Sequence, residues 1–177
     1  MAFLTSGSIE LVPLDPDNES HVETYLQSRN NPEMRATGAY GQCLTPEQAH
    51  DGITDRQETS DPSALCAIHA EEEIVGWAGA WLRDSRARVA EIGYYVLPEF
   101  WGNGYASEAA RLLVVYSLDE LNARRVEAMV QADNPASERV LAKLGFQEEE
   151  RKREAYYKEG EYKDLSFWGL LKSEFER

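Results

Sequence analysis

The segment EFWGNGYASEA, residues 99–109, places Gly102 and Gly104 one residue apart between a strand-like run and a helix-like run. Glycine adopts backbone conformations that other residues avoid, so the chain can turn sharply here and bring successive amide groups together. The positive end of a helix that starts near Tyr105 adds to the attraction for an anion. The segment predicts either a loop that binds phosphate oxygens or a tight strand-to-helix turn without a ligand.

The same glycines also suggest the dinucleotide-binding fingerprint, which needs a third glycine and a later acidic residue. Three features argue against that interpretation. Ser107 stands at the third glycine position, the residues LPEFW separate the strand from Gly102, and too little chain follows for the rest of a nucleotide-binding sheet. A Rossmann domain is therefore disfavoured.

The patterns on either side of the loop predict a single α/β domain over residues 1–177, an α/β sandwich around a mixed sheet. The predicted order is a strand, two helices, three or four strands, a helix, a strand, a helix and a closing hairpin that turns at KEGE. Predicted helices cover 18–29, 45–57, 105–121 and 134–145, and predicted strands cover 6–14, 64–70, 74–82, 89–97 and 125–132.

Charge narrows the function classes, because 32 acidic residues against 18 basic ones give a formal net charge of -14. Such a surface repels a phosphate backbone, so general nucleic-acid binding is not expected. The acidic excess either keeps the protein soluble, in a salt-rich cytoplasm for example, or attracts cationic substrates such as amines.

Cysteine and histidine spacing argues against a metal site. Cys43 and Cys66 form no CxxC pair, and His21, His50 and His69 are scattered without ligand spacing. No segment has the pattern of a signal peptide or approaches the length of a membrane span. We therefore expect a soluble cytoplasmic protein with reduced thiols.

Four motifs coincide between Glu91 and Phe146: EIGYYV at 91–96, a loop of the form x-G-x-G-x-A at 101–106, DNPAS at 133–137 and LAKLGF at 141–146. This stretch closely resembles the core of the GNAT superfamily of acyl-CoA N-acyltransferases, particularly its ribosomal-protein-alanine N-acetyltransferase branch. The resemblance implies a mixed, mostly antiparallel sheet flanked by helices, with a cleft between splayed strands for the cofactor. It also implies acetyl-CoA as co-substrate.

In the family the pyrophosphate sits on the loop matching 101–106, and the pantetheine arm pairs like an added strand with the segment matching 92–96. Trp101 departs from the family, where many members carry Gln or Arg, but backbone amides do most of the phosphate binding. The acetyl-CoA contacts that the resemblance implies are Ile92, Gly93, Tyr94, Tyr95, Val96, Trp101, Gly102, Asn103, Gly104, Tyr105, Ala106, Asn134 and Ser137.

Four residues of the predicted helix over 134–145 also have a purely structural interpretation. Asn134 is a good N-cap and Ser137 falls at the third helical position, so both could serve the helix alone. Arg139 and Lys143 share one face of this helix and could offset the phosphates of CoA, although they could equally be plain surface residues.

Acetyl transfer requires a neutral amine, stabilisation of the tetrahedral oxyanion and a proton for the departing thiolate. The resemblance implies Glu91 as the general base, directly or through water, although a solvent-facing strand glutamate is the alternative. It implies Ser137 as the proton donor and a backbone amide near Tyr94 or Tyr95 as the oxyanion contact. Tyr157 or Tyr156 of the late hairpin is the backup donor.

The sequence says least about the identity of the acceptor substrate. In the family the segments matching 22–40 and 154–163 form its site, and NNPEMRATGAYGQ, residues 30–42, is predicted to be a flexible, partly aromatic loop lining it. The leading hypothesis is a protein N-terminal amine. A polyamine or aminoglycoside is the second hypothesis, and an acyl-CoA-binding sensor without turnover is the third. The family is often dimeric, so a homodimer is a further expectation.

Overall fold

The computed structural model describes residues 1–38, 42–58 and 63–176, and its central feature is an eight-stranded sheet. The strands lie in the order β1-β2-β3-β4-β5-β6-β8-β7, and every neighbouring pair is antiparallel except β5 and β6. The strands are β1 (Leu4–Ser6), β2 (Ile9–Pro13), β3 (Ser63–Ala70), β4 (Glu73–Asp84), β5 (Val89–Val96), β6 (Arg125–Gln131), β7 (Gln147–Lys158) and β8 (Glu161–Leu171).

Five α-helices flank this sheet within the described residues, and all except α4 begin at a residue whose side chain caps the first turn. Thr45 and Gln48 form a reciprocal capping box at the start of the helix that the sequence predicts over 45–57. Asn18 accepts hydrogen bonds from the amides of Ser20 and His21. The helices are α1 (Glu19–Asn30), α2 (Pro32–Thr37), α3 (Pro46–Gln57), α4 (Tyr105–Asp119) and α5 (Pro135–Lys143).

The core has two parts because the sheet carries helices on both faces. Along β3, Cys66 and Ile68 are buried in the cluster that contains α4, whereas Leu65 and Ala67 are buried with Tyr25 of α1 and with α3. This alternation follows from the two-residue period of a strand. The predicted fold class, a mixed and mostly antiparallel sheet flanked by helices, is confirmed.

The prediction of a single first strand over 6–14 was wrong. The chain instead forms β1 and β2, which pair as a hairpin with Ser6 opposite Ile9 around Gly7 and Ser8. A Ser-Gly dipeptide is a turn signal, and it lay inside the predicted strand. The hairpin extends the sheet by one strand at its edge.

The prediction of a flexible loop over 30–42 was also wrong for residues 32–37, which form α2. The Asn31 side chain accepts from the amides of Glu33 at 2.9 Å and Met34 at 3.4 Å, and Pro32 occupies the first turn. Asn followed by Pro is a helix-start signal that the sequence carried. Residues 39–41 of the predicted loop lie outside the described residues.

Candidate active site

A cleft opens where β5 and β6 separate. Their parallel pairing covers only Val89, Ala90 and Glu91 on β5. Beyond Glu91, β5 stays paired with β4 on its other side and β6 stays paired with β8. Within the described residues, no strand pairs with the inner edges of 92–96 and 128–131, which we call the cleft. Such an edge offers backbone groups to an extended ligand, as expected for the predicted pantetheine segment.

The loop of residues 101–106, called the phosphate loop below, joins the cleft to the start of α4. Gly102 and Gly104 both have φ of +85°, and a Cβ at either position would meet no atom of the described chain within 4 Å. Backbone conformation is therefore the reason for glycine here. In the described part of the chain, none of the backbone amides of residues 102–106 donates a hydrogen bond. Free amides beside the positive end of a helix are the groups that attract an anion, as the sequence predicts for this loop.

Trp101, the residue that departs from the family pattern, turns back onto the strand. Its indole Nε1 donates to the carbonyl of Val96 at 2.7 Å, and the residue is 46% exposed. The Asn103 side chain donates to the carbonyl of Phe100 at 3.1 Å. Both contacts hold the loop in shape, so they fix the direction of its free amides.

Across the cleft, Asn134 caps α5 and ties it to α2. Its Oδ1 accepts from the amide of Ser137 at 3.1 Å, and its Nδ2 donates to the carbonyl of Thr37 at 3.3 Å. Both ends of the amide side chain are therefore engaged in structure. Ser137 contributes its backbone amide to this cap and not its hydroxyl.

Tyr94 links the two sides of the cleft. Its hydroxyl lies 3.5 Å from the backbone carbonyl of Ser137. Burial raises the pKa of Tyr94 to about 12, so the phenol stays protonated at neutral pH. The sequence predicts Tyr94 only as a backbone contact, since nothing local indicates that its hydroxyl would reach α5.

Glu91 lies at the apex of the cleft, as the last residue of β5 that pairs with β6. Its side chain is only 9% exposed, and one oxygen forms a close ion pair with the Arg83 guanidinium. It belongs to the sheet face that carries Tyr95, because residues two apart share a face. Tyr94 points to the opposite face. The predicted base and the Tyr94 hydroxyl thus lie on opposite sides of the sheet.

The ends of α2, β6 and β7 meet in a polar cluster, which we call the acceptor end. Lys158 donates to the carbonyl of Ala36, and its Nζ lies 3.3 Å from Asp133 Oδ2. The Tyr156 hydroxyl donates to Asp133 Oδ1 at 3.0 Å, and burial together with this carboxylate raises the pKa of Tyr156. The two segments that the resemblance assigned to the acceptor are therefore in contact.

The remaining predicted site residues lie at the surface. Tyr157 is 64% exposed and packs edge-on against Tyr162 with ring centroids 5.1 Å apart. Arg139 and Lys143 are exposed on α5. Their assigned roles stay predictions. Within the described ranges no group of three His, Cys, Asp or Glu side chains is arranged to hold a metal ion. None of the helices in those ranges has the length and apolar character that a membrane span needs.

Residues 9–147 match the family model of the acetyltransferase (GNAT) domain. The chain belongs to the GNAT family of acetyltransferases. The resemblance inferred from the four motifs is confirmed, and at the level of the family so are the acyltransferase class and acetyl-CoA as co-substrate.

Two relatives from Bacillus subtilis (strain 168) show how far the likeness extends. YdaF, whose assignment as a ribosomal N-acetyltransferase is itself provisional, is 39% identical over 167 residues, covering 94% of this chain and 86% of that protein. YoaA, an uncharacterized N-acetyltransferase, is 39% identical over 101 residues. That second match spans only 57% of either protein.

Solved structures with the same fold include enzymes of two kinds. A spermidine N-acetyltransferase from Vibrio cholerae, in complex with CoA and spermine, has a TM-score of 0.85 at 18% identity over 96% of this chain and 98% of that chain. RimL, a ribosomal-protein alpha-N-acetyltransferase in complex with coenzyme A, has a TM-score of 0.81 at 21% identity over 97% and 98%. At these identities the likeness concerns the fold.

Proposed function

We propose that the protein transfers the acetyl group of acetyl-CoA to a primary amine at the amino terminus of a protein. The observation that carries the donor is the continuity of the unpaired edge at 92–96 with the free amides of the phosphate loop. The edge suits the amide-containing pantetheine arm and the loop suits the pyrophosphate. A protein acceptor is supported by YdaF, which matches 94% of the chain.

The chemistry divides between the two walls of the cleft. The amine nitrogen bonds to the thioester carbonyl carbon while the carbon–sulfur bond breaks. One proton leaves the nitrogen for the Glu91 carboxylate, directly or through water, and the Ser137 hydroxyl supplies the proton that the sulfur needs. Before the next turnover Glu91 releases its proton to solvent and Ser137 takes one back from solvent, so both groups return to their starting state. A backbone amide of β5 near Tyr94 donates to the carbonyl oxygen as negative charge develops on it.

A polyamine is the second candidate acceptor, and the observation that favours it is charge. A formal net charge of -14 raises the local concentration of cations around the molecule. The spermidine N-acetyltransferase with the same fold supports this alternative only through its architecture. Long-range attraction weakens as salt is added, so the two acceptor classes differ in their expected salt dependence.

The test is an acceptor panel that measures thiol release from acetyl-CoA. N-terminal peptides with different first residues are compared with spermidine and spermine, each at low and high salt. We expect release with peptides and a KM for them that changes little with salt. Faster turnover of polyamines, with a KM that rises steeply with salt, would favour the second candidate. Binding of acetyl-CoA without thiol release from any acceptor would indicate a sensor.

A further inference from the structure

Arg83 occupies an irregular position on β4, directly beside the predicted base. The β4–β5 pairing runs from Trp81 opposite Glu91 to Leu82 opposite Ala90, and then shifts so that Arg83 is the extra residue. A bulge of this kind redirects a side chain and is common next to active sites. Here the guanidinium forms an ion pair with the Glu91 carboxylate.

A second carboxylate makes this ion pair consequential. Glu127 lies directly opposite Glu91 in the parallel β5–β6 register, on the same face of the sheet. Arg125 is already committed to Glu127, at 2.7 Å, and to Glu149. Among the described residues, Arg83 is therefore the cation that contacts Glu91, while Glu127 is the like charge across from it.

The other groups around Glu91 are aromatic or belong to this same charge row. Trp81 is its antiparallel partner on β4, and the Arg56 guanidinium of α3 lies 5.9 Å from the centre of the Trp81 indole. Glu91 raises the pKa of Arg83 through their hydrogen bond, so the guanidinium keeps its charge. The carboxylate is thus held between a permanent cation and a like charge.

We propose that Arg83 is a positioning residue for acetyl transfer, which orients the Glu91 carboxylate at the apex of the cleft and sets the lower pH limit of the reaction. This inference rests on the proposed function, with Glu91 as the proton acceptor. Glu91 is only 9% exposed, and without Arg83 its carboxylate would lose the cation that contacts it. Loss of a contacting opposite charge favours the protonated acid, which cannot accept the proton of the amine.

The first experiment compares the pH dependence of kcat/KM for the unaltered protein, Arg83→Met and Arg83→Lys. Arg83→Met should move the acidic limb to higher pH by about one pH unit, which is the low end for loss of a contacting opposite charge. Arg83→Lys should move it less, because the charge remains while the planar contact is lost. Arg83 is half exposed, so its replacement should fold, and the Kd for CoA should not change.

Arg86→Met is the matched control. Arg86 is exposed in the turn between β4 and β5, so its replacement removes the same charge near the same strands. Its acidic limb should coincide with that of the unaltered protein. An Arg83→Met limb that does not move, or an Arg86→Met limb that moves equally, would overturn the inference.

A double-mutant cycle assigns the effect to Glu91. Glu91→Gln should lack the acidic limb, and adding Arg83→Met to it should change the profile no further. An equal effect of Arg83→Met with and without Glu91 would show that Arg83 acts elsewhere and would overturn the inference. An acidic limb that persists in Glu91→Gln would also overturn the inference, because a group other than Glu91 would then cause it. The proposed acetyl transfer would not be affected by that result.

A readout independent of turnover separates this inference from the proposed function. The side-chain carboxyls of the glutamates are labelled with ¹³C and titrated by NMR, and the Glu91 signal is assigned by its absence in Glu91→Gln. Its midpoint should rise in Arg83→Met and stay unchanged in Arg86→Met. If no acceptor is acetylated, the proposed function fails while this titration still measures the Arg83–Glu91 coupling, and an unmoved midpoint would overturn it.

Discussion

The donor side and the acceptor end of the cleft are built from different materials. On the proposed donor side, the groups left without a hydrogen-bond or strand partner among the described residues are backbone amides of the phosphate loop and the edge of β5. At the acceptor end, the groups are side chains that converge from α2, β6 and β7, with Lys158 reaching Ala36 across 122 positions of sequence. The donor side is set by local backbone geometry, whereas the acceptor end depends on tertiary contacts.

This difference explains why a family can share a donor while its members differ in acceptor. A backbone site tolerates many side chains so long as the glycines and the helix start are kept. A site made of converging side chains changes with any one of them. The predictions below test whether the two sides can be altered separately.

The largest expected effect comes from Ser137→Ala, on the wall of the cleft that α5 forms. The cap of α5 uses the Ser137 amide and not its hydroxyl, so the helix should remain intact. Loss of a general acid lowers turnover by about a hundredfold or more. We therefore expect kcat to fall by about this factor while the Kd for CoA, measured by calorimetry, stays the same.

Two tyrosine variants decide the outcome if Ser137→Ala retains full turnover. Tyr94→Phe removes the hydroxyl that lies 3.5 Å from the Ser137 carbonyl, and Tyr157→Phe removes the exposed hydroxyl of the hairpin. A loss of kcat confined to one of these two variants would identify that tyrosine as the proton donor to the departing thiolate.

The next effect should come from Gly104→Ala, which tests the backbone character of the donor site. An alanine at φ of +85° is strained by roughly 1–2 kcal/mol, so the loop should relax and lose the alignment of its amides. We expect the Kd for CoA to rise about tenfold, the equivalent of about 1.4 kcal/mol.

Gly160→Ala provides a matched control. Gly160 has φ of +84° and equally open surroundings, but it lies in the β7–β8 turn. Gly160→Ala should lower the melting temperature by about as much as Gly104→Ala does, and it should leave the Kd for CoA unchanged. Equal losses of CoA affinity in both variants would show that Gly104 acts through general stability alone.

A smaller effect is expected at the acceptor end, from Lys158→Met. Removing a hydrogen bond from a charged group to the last turn of α2 costs about 1.5 kcal/mol. Lys158 acts on α2 and not on the acceptor itself, so we expect only part of this loss in acceptor binding: the KM for the acceptor should rise about fivefold while the KM for acetyl-CoA does not change. Lys172→Met is the control, because Lys172 donates in the same way to the Leu118 carbonyl near the end of α4. An equal rise in the acceptor KM of Lys172→Met would show that Lys158 has no specific role at the acceptor end.

The features that the sequence predicts divide in the same way, into those set by local backbone geometry and those that depend on tertiary contacts. Gly102, Gly104 and the caps at Thr45 and Asn134 obey rules that span three or four residues, so local sequence is enough to predict the turn of the phosphate loop and the starts of α3 and α5. Asn31 and Pro32 carry an equally local signal for α2, which a prediction of flexibility overlooks.

The contacts that could not be read depend on the path of the chain in three dimensions. The Arg83–Glu91 pair requires a bulge that no local motif announces, and the Lys158–Ala36 contact requires both the helix and the hairpin to be in place. A register shift of one residue changes which side chains meet across a sheet. Pattern and spacing do not determine such contacts.

The smallest expected effect is a loosening of α1 at acidic pH. His21 of α1 and His69 of β3 are neighbours with ring centroids 5.7 Å apart, and the Asp15 amide donates to His21 Nδ1 at 2.9 Å. Burial lowers the pKa of both histidines; in each case a nearby acid, Asp15 or Glu10, opposes the shift. The unfolded chain therefore binds protons more readily than the folded chain as pH falls below about 6.5.

Stability should thus be fully present above pH 7 and decline as pH falls through about 6.5, by roughly 2–4 °C in melting temperature for each kcal/mol lost. Hydrogen exchange should show α1 losing protection before α4, since α4 packs on the other face of the sheet. His21→Asn should flatten this dependence, whereas His50→Asn, at a partly exposed position, should not. An equally steep decline in His21→Asn would place the acid sensitivity outside this pair.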